Sequence, residues 1–374
     1  MLVCVSPDGG NRYAGTAPPT RLLVGTVDGV FTVERPAADT AWQVTGQALG
    51  GQHISALLYE PRRGGLFAGC HTGGLYASLD GGRTWESRTR GLPAEHIWTL
   101  ASVERDGQVV LYAGTQPMHL CESLDYGETW QELRSLRDVP GQEKWTFPPT
   151  PGIAHAKVLA FHPHDPRTIY FGVEQGALLK STDAGRTWRE LDTWYSPDDV
   201  YYKDVHRLAI SPHNPALIYM ATGDGLYRSE DGGETWQHLT GVEAEIGYPD
   251  GLVLAPDDDQ TVFMAGGRRA PGVWRREGKA DAGIARSRDG GRSWELLGGG
   301  LPPLLHGNIE ALSLAVWPGG YGLYVGTTDG EVWGSDDRGE HWTLVARGLG
   351  AVSQSSHWRD LLPRTGQAAP ATAS

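Results

Sequence analysis

Apolar and polar positions alternate in short runs along nearly the whole chain, and the runs come in a fixed order. A first set reads HISALLYEP, HIWTLASV, AKVLAFHP, HRLAISP, GLVLAP and NIEALSLAV; each is followed by a second, GLFAGC, LYAGTQ, IYFGVE, IYMATG, VFMAGG and LYVGTT. A third set closes each group: GLYASLD, LCESLD, ALLKSTD, GLYRSED, IARSRD and EVWGSDD. Runs this short, rich in β-branched and aromatic residues and bounded by Gly, Pro and Asp, predict β-strands. The segment Leu22 to Glu34, LLVGTVDGVFTVE, repeats the second and third runs once more, which makes seven groups.

Each third run ends in one phrase, Ser-x-Asp-x-Gly-x-Thr/Ser-Trp, at intervals of roughly fifty residues. The copies are SLDGGRTW from Ser78, SLDYGETW from Ser123, STDAGRTW from Ser181, SEDGGETW from Ser229, SRDGGRSW from Ser287 and SDDRGEHW from Ser335; His341 is the one departure at the Thr/Ser place. An Asp carboxylate can accept hydrogen bonds from backbone N–H groups two or three residues on, Gly supplies positive φ, and Trp buries a large apolar face. The phrase therefore predicts a self-capped hairpin turn. It lacks the alternating acidic positions closing on Glu that a calcium loop needs. In the first group the turn RPAADTAW has lost the phrase, and Trp42 stands for its Trp.

These phrases resemble Asp-boxes, or BNR repeats, and over about residues 21 to 358 the chain resembles the Asp-box β-propellers. That family includes sialidases and other glycoside hydrolases, sortilin-type receptor domains and photosystem II stability and assembly factors. The resemblance implies an all-β fold of seven four-stranded antiparallel blades spanning 21–360, with the box turns away from the ligand face. It leaves function open. Closing the ring requires an innermost strand for the first blade. The C-terminal segment AVSQSSHWRDL is expected to supply it, with LVCVS at residues 2 to 6 as the competing choice. Residues 1–20 and the tail 361–374 are expected to be disordered.

The composition of 52 Gly, 24 Pro and 14 Trp suits many short strands joined by turns and packed by aromatics. A formal charge of −13 without a Lys/Arg run argues against nucleic acid, and no apolar stretch is long enough to insert in a membrane. The start shows no signal peptide, so a cytoplasmic location is expected. Cys4, Cys70 and Cys121 are too scattered for a disulfide framework or thiolate zinc, and Cys70 and Cys121 fall in strands.

Chemistry is sought where the innermost strands begin, opposite the boxes. Aligning those strands places His53, His96 and His155 at equivalent positions, and two residues on Lys157, His206, Asp250 and Glu310 share one side. Asp204, Tyr248, Asn308 and His357 stand nearby. Three imidazoles from separate blades could hold a divalent transition metal such as zinc, iron, copper or manganese. Alternatively Asp250 and Glu310 form an acid/base pair with His206 and Lys157 as charge partners. Loops on the same face bring Trp145, Phe147, Trp194, Tyr195, Tyr201, Tyr202, His71, His119 and Glu174, and the longest, GGRRAPGVWRREGKADAG, brings Arg268 as part of a lid for an anionic group.

The leading expectation is a propeller that binds a small polar or carbohydrate-like ligand and works as a metal-supported hydrolase, lyase or oxidase. In it His53, His96 and His155 hold the metal, and Lys157, His206, Arg207, Asp250 and Glu310 do the chemistry. Trp145, Tyr202, Tyr248, Arg268, His71 and His119 contact the ligand, and no nucleotide cofactor is involved. The alternatives are a metal-free glycoside hydrolase using Asp250 and Glu310, and a non-catalytic scaffold with a protein partner. The sialidase pattern of an early Arg-Ile-Pro signature and Arg from three blades is absent. Relative to the photosystem factors, which resemble this chain in blade count and box spacing, the acidic charge is a departure.

Overall fold

The computed structural model describes residues 1–147 and 151–361. Seven small sheets are arranged as the blades of a propeller. Blade two is typical: Ile54–Glu60, Gly65–Cys70, Leu75–Ser78 and Glu86–Ser87 run antiparallel from the channel outward. Blades three to seven begin with His96–Arg105, Ala156–His162, Val205–Ile210, Tyr248–Leu254 and Ile309–Trp317. The second strands are almost wholly buried, as in Gly65–Cys70 and Val262–Gly267. Apolar side chains of neighbouring sheets pack between blades, so each sheet is covered on both faces. Cys4, Cys70 and Cys121 are free and buried.

The six repeated turns share one hydrogen-bond pattern on the lower face. In the fourth blade Ser181 Oγ donates to Asp183 Oδ1 at 2.8 Å and accepts from Gly185 N at 2.8 Å, while Thr187 N and Oγ1 donate to the Asp183 carboxylate at 2.9 and 2.7 Å. The Asp thus reaches three to four residues on rather than two to three, and the Ser is as structural as the Asp. Gly185, with φ at +82°, occupies backbone space that an L side chain rarely adopts. In the departing copy His341 Nδ1 lies 2.6 Å from Asp337 Oδ2 and takes the hydroxyl's place.

The ends of the chain correct two expectations. Residues 1–20 are not a disordered lead-in: Leu2–Val5, Asp8–Gly9 and Arg12–Ala14 are strands. Leu2–Val5 is the innermost strand of blade one and pairs parallel with Arg21–Thr26. The chain then turns at Ser6–Pro7 and descends, pairing with Ala56 and Leu57 of blade two and with Leu314 to Val316 of blade seven. A hairpin from the lower face therefore enters the channel and turns level with Ala56, just below the upper ends of the innermost strands. The apolar run LVCV takes the strand place because it can be buried along its length, with Val3, Cys4 and Val5 wholly inaccessible.

The C-terminal segment does return to blade one, but only across its top. Val27 N donates to Ala351 O at 2.9 Å and Val352 N to Thr327 O at 3.0 Å, joining the upper ends of blades one and seven. The chain continues over the channel to the short turn of helix His357–Leu361. The tail expected over 361–374 lies outside the described residues apart from Leu361, which is buried. No described helix is long and apolar enough to cross a membrane.

Candidate functional site

One local irregularity builds the site. The register of every innermost strand from blade two to blade seven slips near its upper end: between Ile54 and Ala56, Ile97 and Thr99, Ala156 and Val158, Val205 and Arg207, Pro249 and Gly251, Ile309 and Ala311. The extra residue of each bulge is Ser55, Trp98, Lys157, His206, Asp250 or Glu310. A bulge re-aims a side chain at the rim of a barrel or channel. Four of the six are the residues that sequence alignment grouped; Ser55 and Trp98 went unassigned, although Trp98 stands two residues from His96, in step with the other pairs.

The bulged residues meet carboxylates from neighbouring loops in a buried network. Lys157 Nζ and His155 Nε2 both lie 2.9 Å from Glu174 Oε2. Asp204 Oδ2 lies 3.4 Å from His206 Nε2, whose Nδ1 is 2.8 Å from Pro249 O. Asn308 Nδ2 donates to Asp250 Oδ2 at 2.8 Å. Glu310 accepts from Gln354 N at 2.8 Å and from Ser353 Oγ at 3.1 Å, with His357 Nδ1 at 3.5 Å.

Charge in this network follows from burial and its compensation. Burial works against the His206 imidazolium, but Asp204 and Asp250 outweigh it and push its pKa up to about 9. Burial would raise the Glu174 carboxyl, yet Lys157, His155 and His206 hold it well below the ordinary range. Asp250 moves up, because burial and the nearby Glu310 charge exceed the help of His206 and Lys157. Glu310 moves down: His357, Gln354 N and Lys157 overcome its burial. The two carboxyls are displaced in opposite directions within one site.

The structure does not assemble His53, His96 and His155 as a metal triad. His71 stacks between His53 and His96, with centroids 4.8 and 5.0 Å apart, so these rings meet face to face rather than pointing nitrogens at one point. Burial and the neighbouring imidazoles press the His71 pKa down to about 4. His53 Nε2 is engaged with Ser353 O at 2.7 Å, and His155 stacks on Trp98 at 3.5 Å. Among the described residues, the group whose ligand atoms lie close enough to share an ion is Glu174, Asp204 and His206.

Other expected residues are dispersed. Arg207 faces the N-terminal hairpin, pairing with Asp8 at 3.4 Å and donating to Pro7 O. Arg268 pairs with Glu245 at 3.0 Å on the rim, and His119 with Glu132 at 2.8 Å beside its own blade. Trp145 packs on the apolar core between blades three and four, and Tyr202 on Tyr195. Tyr248 does belong to the chamber, 4.6 Å from His206 between ring centroids.

The upper mouth is closed rather than open. The long insertion forms the helix Pro271–Glu277, and its buried Trp274 lies edge-on to Tyr248 at 5.6 Å and to His357 at 5.9 Å. Its rim cations Arg268, Arg269 and Lys279 are paired with Glu245, Glu243 and Asp281, which removes the reason to expect an anion there. Phe147 covers His155 at 4.5 Å, and Gln354 Nε2 donates to Trp98 O at 2.8 Å. A cleft of 290 Å³ lies instead at the lower mouth, lined by Arg12, Tyr13, Tyr59 and Phe161. Asp8, Trp98, Ser353 and Gln354 carried no sequence signal of a role, because the partners that define them lie far along the chain: Asp8 meets Thr99, Gln354 meets Trp98, and Ser353 meets Glu310 and His53.

No family model matches the chain. It is 31% identical over 142 residues to xyloglucanase Xgh74A of Acetivibrio thermocellus, covering 33% of this chain and 16% of that enzyme. It is 26% identical over 314 residues to the photosystem II assembly lipoprotein Ycf48 of Synechococcus sp., covering 73% of this chain and 84% of that protein. The crystal structure of an ancestral GH74 enzyme superposes with a TM-score of 0.63 at 16% identity, over 83% of this chain and 40% of that one. The likeness in structure is one of fold. The matched part of this chain spans less than two thirds of the xyloglucanase and of the GH74 chain.

Proposed function

We propose that the upper channel is a glycoside hydrolase-type site for a small polar, carbohydrate-like ligand, with Asp250 as proton donor and Glu310 as base. The observation that carries this reading is the placement of Asp250 and Glu310 at the bulges of adjacent blades, both buried, with their carboxyls displaced in opposite directions. In hydrolysis, Asp250 would give its proton to the leaving glycosidic oxygen while Glu310 takes one from the attacking water, so one water is added across the bond. Lys157 and His206 would keep the site's charge balanced as the protons move. Because Ser353, Gln354 and His357 occupy Glu310, this chemistry requires the C-terminal segment to lift. Sequence similarity to xyloglucanases supports the substrate class.

The test is release of oligosaccharides from xyloglucan by the full chain and by Asp250→Asn and Glu310→Gln. Each variant is expected to lose at least about a thousandfold in rate, while His53→Ala changes it less than about tenfold. Turnover that survives both carboxylate changes would sink the reading.

A second reading is a binding propeller with a protein partner. It is supported by the saturation of Glu310 by the chain's own residues and by the match to an assembly lipoprotein over 73% of this chain and 84% of that protein. Absence of turnover in the unmodified chain, with partner capture abolished by changes at the rim, would select it.

A further inference from the structure

We infer that Glu174, Asp204 and His206 form a divalent-metal site in the wall of the upper channel, distinct from the three-histidine set expected from sequence. The three residues come from two adjacent blades, and their ligand atoms lie within 4.8 Å of one another. All are at least 98% buried.

The orientation of His206 carries the argument. Its Nδ1 donates to Pro249 O at 2.8 Å, so Nε2 is the nitrogen turned toward the carboxylates, where an ion would replace the proton that Nε2 carries in the metal-free chain. A metal-ligating histidine characteristically donates its other ring N–H to a carbonyl or carboxylate in this way. His206 Nε2 and Asp204 Oδ1 have no hydrogen-bond partner among the described residues, although both are wholly enclosed. Buried polar atoms are rarely left so.

The spacing agrees with an ion better than with direct pairing. His206 Nε2 lies 3.4 Å from Asp204 Oδ2, longer than a charge-assisted hydrogen bond of about 2.7–2.9 Å. Two ligands at about 2.1 Å from a tetrahedral ion stand about 3.4 Å apart. Glu174 has one oxygen engaged by Lys157 and His155, so its second oxygen is the one left for the ion, and the engaged one fixes the carboxylate's orientation. Gly223 makes room on the other side: a Cβ there would collide with Asp204 Oδ2. One imidazole with two carboxylates suits zinc or manganese, with water or ligand oxygen completing the shell. The inference does not rest on the hydrolase reading.

The test loads the chelator-stripped full chain with Zn²⁺ or Mn²⁺. Near one equivalent is expected by elemental mass spectrometry, and the Mn²⁺ form is expected to show coupling to a single imidazole nitrogen in pulsed electron paramagnetic resonance. Asp204→Asn and His206→Gln should each weaken uptake at least tenfold, and His53→Ala should leave it unchanged. If those buried variants fail to fold, the unmodified chain still decides: no uptake, or coupling to two or more imidazoles, overturns the proposal.

Discussion

The two faces of the propeller solve the same problem, closing a polar group inside a β-sheet protein, by opposite means. On the lower face each turn satisfies itself: Ser, Asp, Gly and Thr lie within seven residues, and the pattern in blade five matches that in blade four to 0.1 Å. On the upper face the backbone bulge is repeated but the side chain it carries is not. Lys157, His206, Asp250 and Glu310 occupy one structural position, a bulge, and carry four different chemistries. Local closure allows copying, because a unit that needs no neighbour works in any blade. A site assembled from several blades cannot be copied, since each member is defined by the others.

The comparison can be broken most forcefully at Lys157. It is buried with Glu174 at 2.9 Å, and removing it leaves that carboxylate enclosed without its ammonium. Lys157→Met is expected to cost about 3–5 kcal/mol in urea unfolding. A loss below about 1 kcal/mol would mean that the upper network is as locally self-sufficient as the turns.

The pH dependence should separate the faces. In the metal-free chain His206 has a folded pKa of about 9, above its unfolded value near 6.5. Its contribution is therefore fully present below about pH 6.5 and is lost as pH rises through about 9. Asp231 is the reverse case: hydrogen bonds from Thr235, then Ser229, lower its pKa to about 2. Its contribution is present above about pH 4 and lost as pH falls through about 2. Glu174 and Glu310 also lie low and add to the acid limb. Urea midpoints across pH should accordingly lose their alkaline slope in His206→Gln and only part of their acid slope in Asp231→Asn.

A single turn should matter less than any member of the network. Asp231→Ala removes the acceptor for Thr235 N and Oγ1, which are exposed, and for the buried Ser229 Oγ, which still accepts from Gly233 N, so the cost resembles loss of a helix cap, about 1 kcal/mol. Thermal unfolding measures it. A cost like that of Lys157→Met would make the turns cooperative across blades.

This contrast also governs what could be read from the chain before its structure. The turns, the blade count and the equivalence of Lys157, His206, Asp250 and Glu310 were legible because each rests on local pattern or on strand periodicity. The bulges were not, since a one-residue slip leaves no trace in composition. The N-terminal hairpin was half legible: LVCV reads as a strand, but its pairing with Arg21–Thr26 and its turn beneath Arg207 depend on partners far along the chain. The histidine triad failed for a related reason. Equivalent positions in adjacent blades place imidazoles side by side, and His71, from a different strand end, enters between them.

The smallest effect should come from restoring the one imperfect turn. His341 N donates to Asp337 Oδ1 at 2.9 Å and its ring nitrogen meets Oδ2 at 2.6 Å, so both carboxylate oxygens already have the partners a threonine would give. Trp342 is buried and donates to Gly339 O at 3.0 Å, as in the turns of blades two and five to six. His341→Thr is therefore expected to change stability by less than about 0.5 kcal/mol at neutral pH. A larger gain would show that the imidazole is a strained substitute, and that even a self-contained turn discriminates among the groups able to close it.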